Sequence, residues 1–270
     1  MIPLNRALSK LGILSRRQAT TAILAGRVRV DGRVVMKPTT IVDPARARIS
    51  VDHEARSAAP WRTLLLYKPR GVVTTRRDPE GRPTVFSLLG GAAEGLVAVG
   101  RLDLATTGVL LLTTDTALAD ALTDPVNAVP RVYIVTVRGK LTEADAAALT
   151  HGVNGMHAHS VLIRKTSSRE SHATIELHEG KNREVRRLFA AVGHDVTRLK
   201  RVRFGGLELG ELEPGAWREI SRDELADAFP ALPVIDRDVR ATNPASYSRA
   251  VPTRTRTPRS QGRSRRSMRR

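Results

Sequence analysis

Residues 100–115 read GRLDLATTGVLLLTTD, and the fold is decided by how this stretch divides. Val109 to Leu112 is an unbroken apolar run ending in Thr113, the length and character of a buried strand. A second short apolar run, residues 96–99, lies just ahead of it. Between the two sits a loop with one carboxylate, Asp103, preceded by Arg101 and followed by Thr106, Thr107 and Gly108. A loop held at both ends by buried strands presents its side chain rigidly at a sheet edge, the usual place for a catalytic group. Spacing alone is met as well by a turn or capping carboxylate, so Asp103 is a candidate on position and chemistry only.

Outward from this loop, the pattern is one of many strands with interspersed helices. Residues 63–67 form an apolar run closed by the turn signal Lys68-Pro69-Arg70-Gly71. Residues 131–137, 160–165 and 172–178 read as further strands, and 116–122, 142–150 and 182–192 as helices. The expected class is α+β or a mixed-sheet architecture. No internal repeat of 20–50 residues occurs.

The first 52 residues form a different module. Residues 4–12 carry apolar positions at helical spacing and stop at Gly12; Ser15 is placed to cap a second helix ending before Gly26. Residues 27–35, RVRVDGRVV, alternate basic and apolar around Asp31-Gly32, a strong hairpin signal. Arg16, Arg17, Arg27, Arg29 and Arg33 are thereby displayed, the ribbon arginines expected on one face. Residues 53–60 read as a linker, 61–236 as the main domain, and 237–270, rich in Arg, Ser, Thr and Pro, as a tail without enough apolar surface to order itself.

Charge follows the same division. The net charge of +18 places +7 on residues 1–52 and +10 on residues 237–270, leaving +1 on the body between them. A near-neutral body with a basic module at each end implies a polyanion gripped from outside the core, and with no membrane signal that is nucleic acid. No run of about 18 apolar residues exists, and the N-terminus lacks the apolar core of a signal peptide, so the expected location is the cytoplasm. The absence of cysteine excludes thiolate nucleophiles and cysteine-ligated metal. No histidine pair has persuasive ligand spacing; His157 and His159 read as surface residues. No cofactor or metal is expected. Aromatic residues at 3% argue against RNA recognition on a broad stacking sheet.

Two resemblances sharpen this. Residues 4–35, LNRALSKLGILSRRQATTAILAGRVRVDGRVV, resemble the S-four-like RNA-binding domain, which implies binding of structured RNA by shape and phosphate contacts. GRLDLATTGVLLLTTD closely resembles the signature of the ribosomal pseudouridine synthases. LLLYKPRGVVTT (64–75), RVYIVTVRG (131–139) and residues 180–220 resemble that family's opening strand, tyrosine-bearing strand, and late helix with closing strands. The resemblance implies a mixed, mainly antiparallel sheet. It also implies roles residue by residue: Asp103 the essential aspartate, Tyr133 the tyrosine packing on the target base, and Arg186 the basic partner of the aspartate. It further implies Leu199 as an apolar pocket residue and Arg101 as the arginine filling the gap left by a flipped uridine. Thr123-Asp124-Pro125 departs from the family, where a His-Pro pair is common, and Pro130 and Val132 also depart; these bear on which uridine is chosen.

The implied reaction breaks a carbon–nitrogen glycosidic bond, turns the freed uracil and rejoins it through carbon. It requires no redox change, group donor or metal. The aspartate can serve as nucleophile or base toward the ribose, a neighbouring cation favours a carboxylate's charged form, and the base must leave its stack. Arg186 is expected to point inward, with Arg183 and Arg187 nearer RNA; Lys200, Arg201 and Arg203 are expected on phosphates. The partner is expected to be ribosomal RNA bound by a monomer, of the large subunit given the basic C-terminal extension, with a small-subunit target as the alternative. The competing reading is a non-catalytic RNA-binding assembly factor, against which stands the joint presence of Asp103, Tyr133 and Arg186. A base deaminase lacks its zinc ligands here.

Overall fold

The computed structural model describes residues 1–232 apart from positions 12, 15, 45, 53 and 56–59. The expected helix stop at Gly12, the cap at Ser15 and the basic tail lie outside the described residues.

The front unit begins with β1 (Ile2–Pro3), α1 (Leu4–Lys10) and α2 (Arg16–Leu24). The helices bury Leu4, Ala7 and Leu8 against Ala19, Ala22 and Ile23, the single apolar stripe that each can offer. Next come β2 (Val28–Val30), β3 (Arg33–Val34), β4 (Ile41–Val42), β5 (Ile49–Val51) and β6 (Glu54–Ala55). The sheet order is β3-β2-β5-β6, while β1 pairs with β4. Asp31 and Gly32 take φ of 50° and 84°, the left-handed pair that a two-residue hairpin demands. Pairing of β6 with β5 carries this unit to Ala55, past the boundary expected at residue 52. The ribbon does not gather its arginines on one face. Arg29 pairs across the hairpin with Val34, and Arg33 with Val30, so Arg33 lies on the side opposite Arg29.

The second unit runs β7 (Thr63–Lys68), α3 (Val85–Leu89), β8 (Val97–Ala98), β9 (Thr106–Thr113), α4 (Thr116–Thr123), β10 (Arg131–Arg138) and α5 (Glu143–His151). It continues with β11 (Ser160–Thr166), β12 (Glu170–Leu177), α6 (Glu184–Ala191), β13 (Val196–Phe204), β14 (Leu207–Glu208), β15 (Trp217–Glu219) and α7 (Arg222–Ala228). The strands form one sheet, ordered β11-β12-β10-β13-β9-β7-β15, with β14 beside β13 and β8 beside β9. Neighbours are antiparallel except β13 and β9, which run parallel over Leu199–Arg201 and Thr106–Gly108.

Burial explains the sequence pattern. Strands β7 and β9 are covered on both faces, Leu64, Leu66, Leu110 and Leu112 on one and Leu65, Val109 and Leu111 on the other, so they read as continuous apolar runs. Strand β12 alternates instead: Ser171, Ala173, Ile175 and Leu177 are buried, while Glu170, His172, Thr174 and Glu176 are half-buried. One face of the β11-β12-β10-β13 block is therefore open. Two helices went unanticipated: α3, begun by a Thr84–Ser87 capping box, and α7, capped by Ser221. Among the described residues no helix is long and apolar enough to cross a membrane.

Candidate active site

The loop between β8 and β9 carries Asp103, and its shape is set by tertiary bonds. The Thr106 amide donates to the Asp103 carbonyl (3.0 Å), and the Gly71 amide to that of Leu104 (2.9 Å). Thr74 Oγ1 donates to the Leu102 carbonyl at 2.9 Å. Lys68, with no exposed surface, donates its Nζ to the carbonyls of Thr106 (2.8 Å) and Pro69 (3.0 Å). Burial pulls the Lys68 ammonium down to about 8, and the Asp103 charge opposes that fall. The Lys-Pro turn that looked in sequence like a strand terminator is thus an internal strut under the aspartate loop.

Facing the loop is the N-terminus of α6. Arg183, in the left-handed region at φ 50°, delays the helix to Glu184 and turns its side chain toward Asp103. Arg183 Nη1 lies 3.6 Å and Arg186 Nε 3.8 Å from Asp103 Oδ2. The two arginines differ in setting: the Arg183 side chain is 55% exposed, that of Arg186 only 16%. Arg187 is exposed. Burial and the neighbouring Arg183 charge lower the Arg186 pKa, while Asp103 supports its cation. Arg186 Nη1 donates to the Val196 carbonyl at 2.7 Å.

These groups border a cleft of about 140 Å³ lined by Arg101, Asp103, Tyr133, Arg183, Arg186 and Leu199 among others. Tyr133 is mostly buried in β10 and Leu199 in β13, so the wall is rigid; Arg101 is exposed at the rim. Thr106 Oγ1, Arg186 Nε and Nη2, and Arg201 Nη2 are buried without a hydrogen-bond partner. Native interiors rarely leave such groups unsatisfied, so the cleft holds polar capacity for a ligand.

Arg201 is a correction. Expected on phosphate, it is 3% exposed, donates Nε to the Val109 carbonyl (2.7 Å) and lies over the Phe204 ring. Pairing register puts it on the cleft side with Tyr133; its neighbour Lys200, and Arg203 beyond the β-bulge at Val132/Tyr133, fall on the other face. Lys200 sits over the Tyr67 ring, and Arg203 pairs with Glu176 (3.3 Å). In the front unit Arg16, Arg17 and Arg33 are exposed, Arg27 is paired with Asp52, and Arg29 donates to the Gly32 carbonyl. Two further residues of the site have no role in the sequence reading. Arg131, buried at the cleft floor, donates to the carbonyls of Val129 (2.6 Å), His178 (2.8 Å) and Leu122 (3.1 Å), and burial lowers its pKa. Glu184, whose carboxyl burial pushes up, accepts from the Lys181 amide at 2.9 Å and closes the first turn of α6. His157 and His159 are exposed as expected, but folding stacks His159 on His178 and sets both beside Glu176. No ion-like spacing in the chain foretold that group, and its carboxylate is shared with Arg203.

Residues 62–191 match the family model described as RNA pseudouridylate synthase, and residues 2–45 match the S4 domain. An RNA pseudouridine synthase from Aquifex aeolicus is 36% identical over 236 residues, 86% of this chain and 95% of that protein. The ribosomal large subunit pseudouridine synthase B of Vibrio cholerae is 39% identical, covering 82% of this chain and 72% of its own; that of Shigella flexneri is 40% identical, covering 80% and 79%. A pseudouridylate synthase crystal structure superposes with a TM-score of 0.60 at 26% identity, covering 84% of this chain and all of the other.

Proposed function

The chain belongs to the RNA pseudouridylate synthase family, and from that premise we propose that it isomerises a uridine of large-subunit ribosomal RNA, with Asp103 acting on the target nucleoside. The observation that carries the reading is the placement of Asp103 in the lining of the cleft, between Arg183 and Arg186. The large-subunit assignment is supported by the names of the Vibrio and Shigella relatives.

In this reading the front unit and the basic tail hold structured RNA by phosphate contacts. The target uridine leaves its stack; Arg101, at the rim, occupies the space it vacates. The base enters between Tyr133 and Leu199. Asp103, held by its loop and oriented by Arg186, attacks or deprotonates the ribose while the N1–C1′ bond breaks. The uracil turns, C5 bonds to C1′, and the proton leaving C5 is balanced by one gained at N1. Arg131 and Lys68 hold the wall and the loop in register. The protein works as a monomer in the cytoplasm, where its ribosomal substrate is.

The test is to map pseudouridine by carbodiimide modification and primer extension on ribosomal RNA from cells lacking the gene. Complementation uses the wild type and Asp103→Asn. One large-subunit position lost in the deletion, restored by wild type and not by Asp103→Asn, is the expected result. Restoration by the Asn variant overturns the role of Asp103, and an unchanged large subunit overturns the substrate.

A further inference from the structure

Beside the aspartate loop, a second and wider depression of about 400 Å³ is lined by Arg70, Arg138, Arg169, Arg198, Thr197 and Glu170. Four guanidinium groups meet one carboxylate there, and that carboxylate is engaged by His172 at 3.2 Å. Several arginines elsewhere on the surface are paired within the chain: Arg62 with Glu219, Arg82 with Asp78, Arg218 with Glu224. None of the four groove arginines makes an ion pair or a side-chain hydrogen bond among the described residues. Four like charges around one carboxylate leave a net positive groove, which favours an anion from outside the chain.

Its position ties it to the catalytic loop. Arg70 belongs to the turn whose Gly71 amide bonds the Leu104 carbonyl, and it is near enough to Arg186 to lower that residue's pKa along with burial and Arg183. Thr197 follows Val196, the acceptor of the Arg186 bond. Arg138 pairs across the sheet with Glu170, and Arg198 with Thr136, so both side chains lie on the open face of the β11-β12-β10-β13 block. On that face Ile134 and Leu162 stay 46% and 53% exposed, and Lys200 and Arg203 continue the positive charge.

We propose that this groove binds the phosphodiester backbone of the substrate RNA, on one side of the target nucleotide, and leads it from the aspartate loop onto the open sheet face. The inference rests on the reading of the chain as an RNA pseudouridine synthase and adds a second grip, separate from the front unit.

The test uses the full chain and an unmodified large-subunit ribosomal RNA transcript, comparing wild type with Arg138→Gln/Arg169→Gln/Arg198→Gln. The three positions are outside the cleft. In single-turnover pseudouridine formation, the enzyme concentration for half-maximal rate is expected to rise about tenfold near physiological salt, with the maximal rate within twofold. The slope of log affinity against log salt is expected to become shallower by about 2, as three phosphate contacts are lost. The Lys triple variant keeps the charge and is expected to restore the slope. An unchanged half-maximal concentration and slope, or a fall confined to the maximal rate, overturns the groove. Should the wild type form no pseudouridine, the functional reading fails, while filter retention of the same RNA by the same variants still decides the groove.

Discussion

A Cβ built on Gly108 would fall 2.0 Å from the Arg201 carbonyl oxygen and 2.7 Å from its nitrogen. The glycine of the signature stretch is thus the contact that lets β9 approach β13, the one parallel pairing in the sheet, at the point where both strands meet the cleft. Its φ of 116° is a second reason for glycine. Gly108→Ala is expected to cost about 3 kcal/mol or more, from backbone overlap and left-handed strain together. Gly210→Ala, at φ 56° with nothing within 4 Å of its added methyl, should cost only about 1–2 kcal/mol. Urea denaturation of the two variants checks the ordering; equal losses would leave the close approach without importance.

The two arginines at Asp103 should separate by kinetics. Arg186→Lys removes the guanidinium that reaches both the aspartate and the Val196 carbonyl, so turnover is expected to fall about a hundredfold with little change in half-saturation. Arg183→Ala, exposed, should chiefly weaken RNA binding, by a few-fold. Single-turnover rates over a range of enzyme concentrations distinguish them.

Arg131 is expected to matter for stability before chemistry. Arg131→Met strands the carbonyls of Val129, His178 and Leu122, and about 3 kcal/mol or more should be lost. A urea midpoint within error of wild type would show that the three bonds are dispensable.

Lys68 gives a pH signature of known sign. Its ammonium titrates near 8 in the fold against an ordinary value of 10.5, so between those pH values the unfolded chain binds the extra proton. The penalty of the buried charge is present below pH 8 and is relieved as pH rises toward 10.5. Relative to Lys68→Met, the wild type should gain about 2–3 kcal/mol across that window. Denaturation curves of both proteins at pH 7.5, 9 and 10.5 measure it, and a flat difference would place the ammonium at its ordinary value.

Much of this protein was legible in residue order because the relevant physics is local. The Asp31-Gly32 turn, the continuous apolar runs of β7 and β9 and the Asp103 loop between them all follow from period, turn chemistry and burial on one or both faces. The family signature carried the assignment of Asp103, Tyr133, Arg186 and Leu199, and folding brings all four to one cleft. What a basic residue faces is a different matter. Arg201 and Lys200 are neighbours in sequence, yet one is sealed beneath the cleft and the other lies over Tyr67 on the open face. Arg33 and Arg29 part company across their hairpin for the same reason: pairing register assigns the side of the sheet, and register is a property of two strands. Lys68 stands in a turn signal and Arg131 at the start of a strand in a linear reading, and only the packing of distant carbonyls around them makes them buried struts. The groove of Arg70, Arg138, Arg169 and Arg198 likewise has no linear motif, since its members come from four separate places in the chain and meet only when the sheet closes.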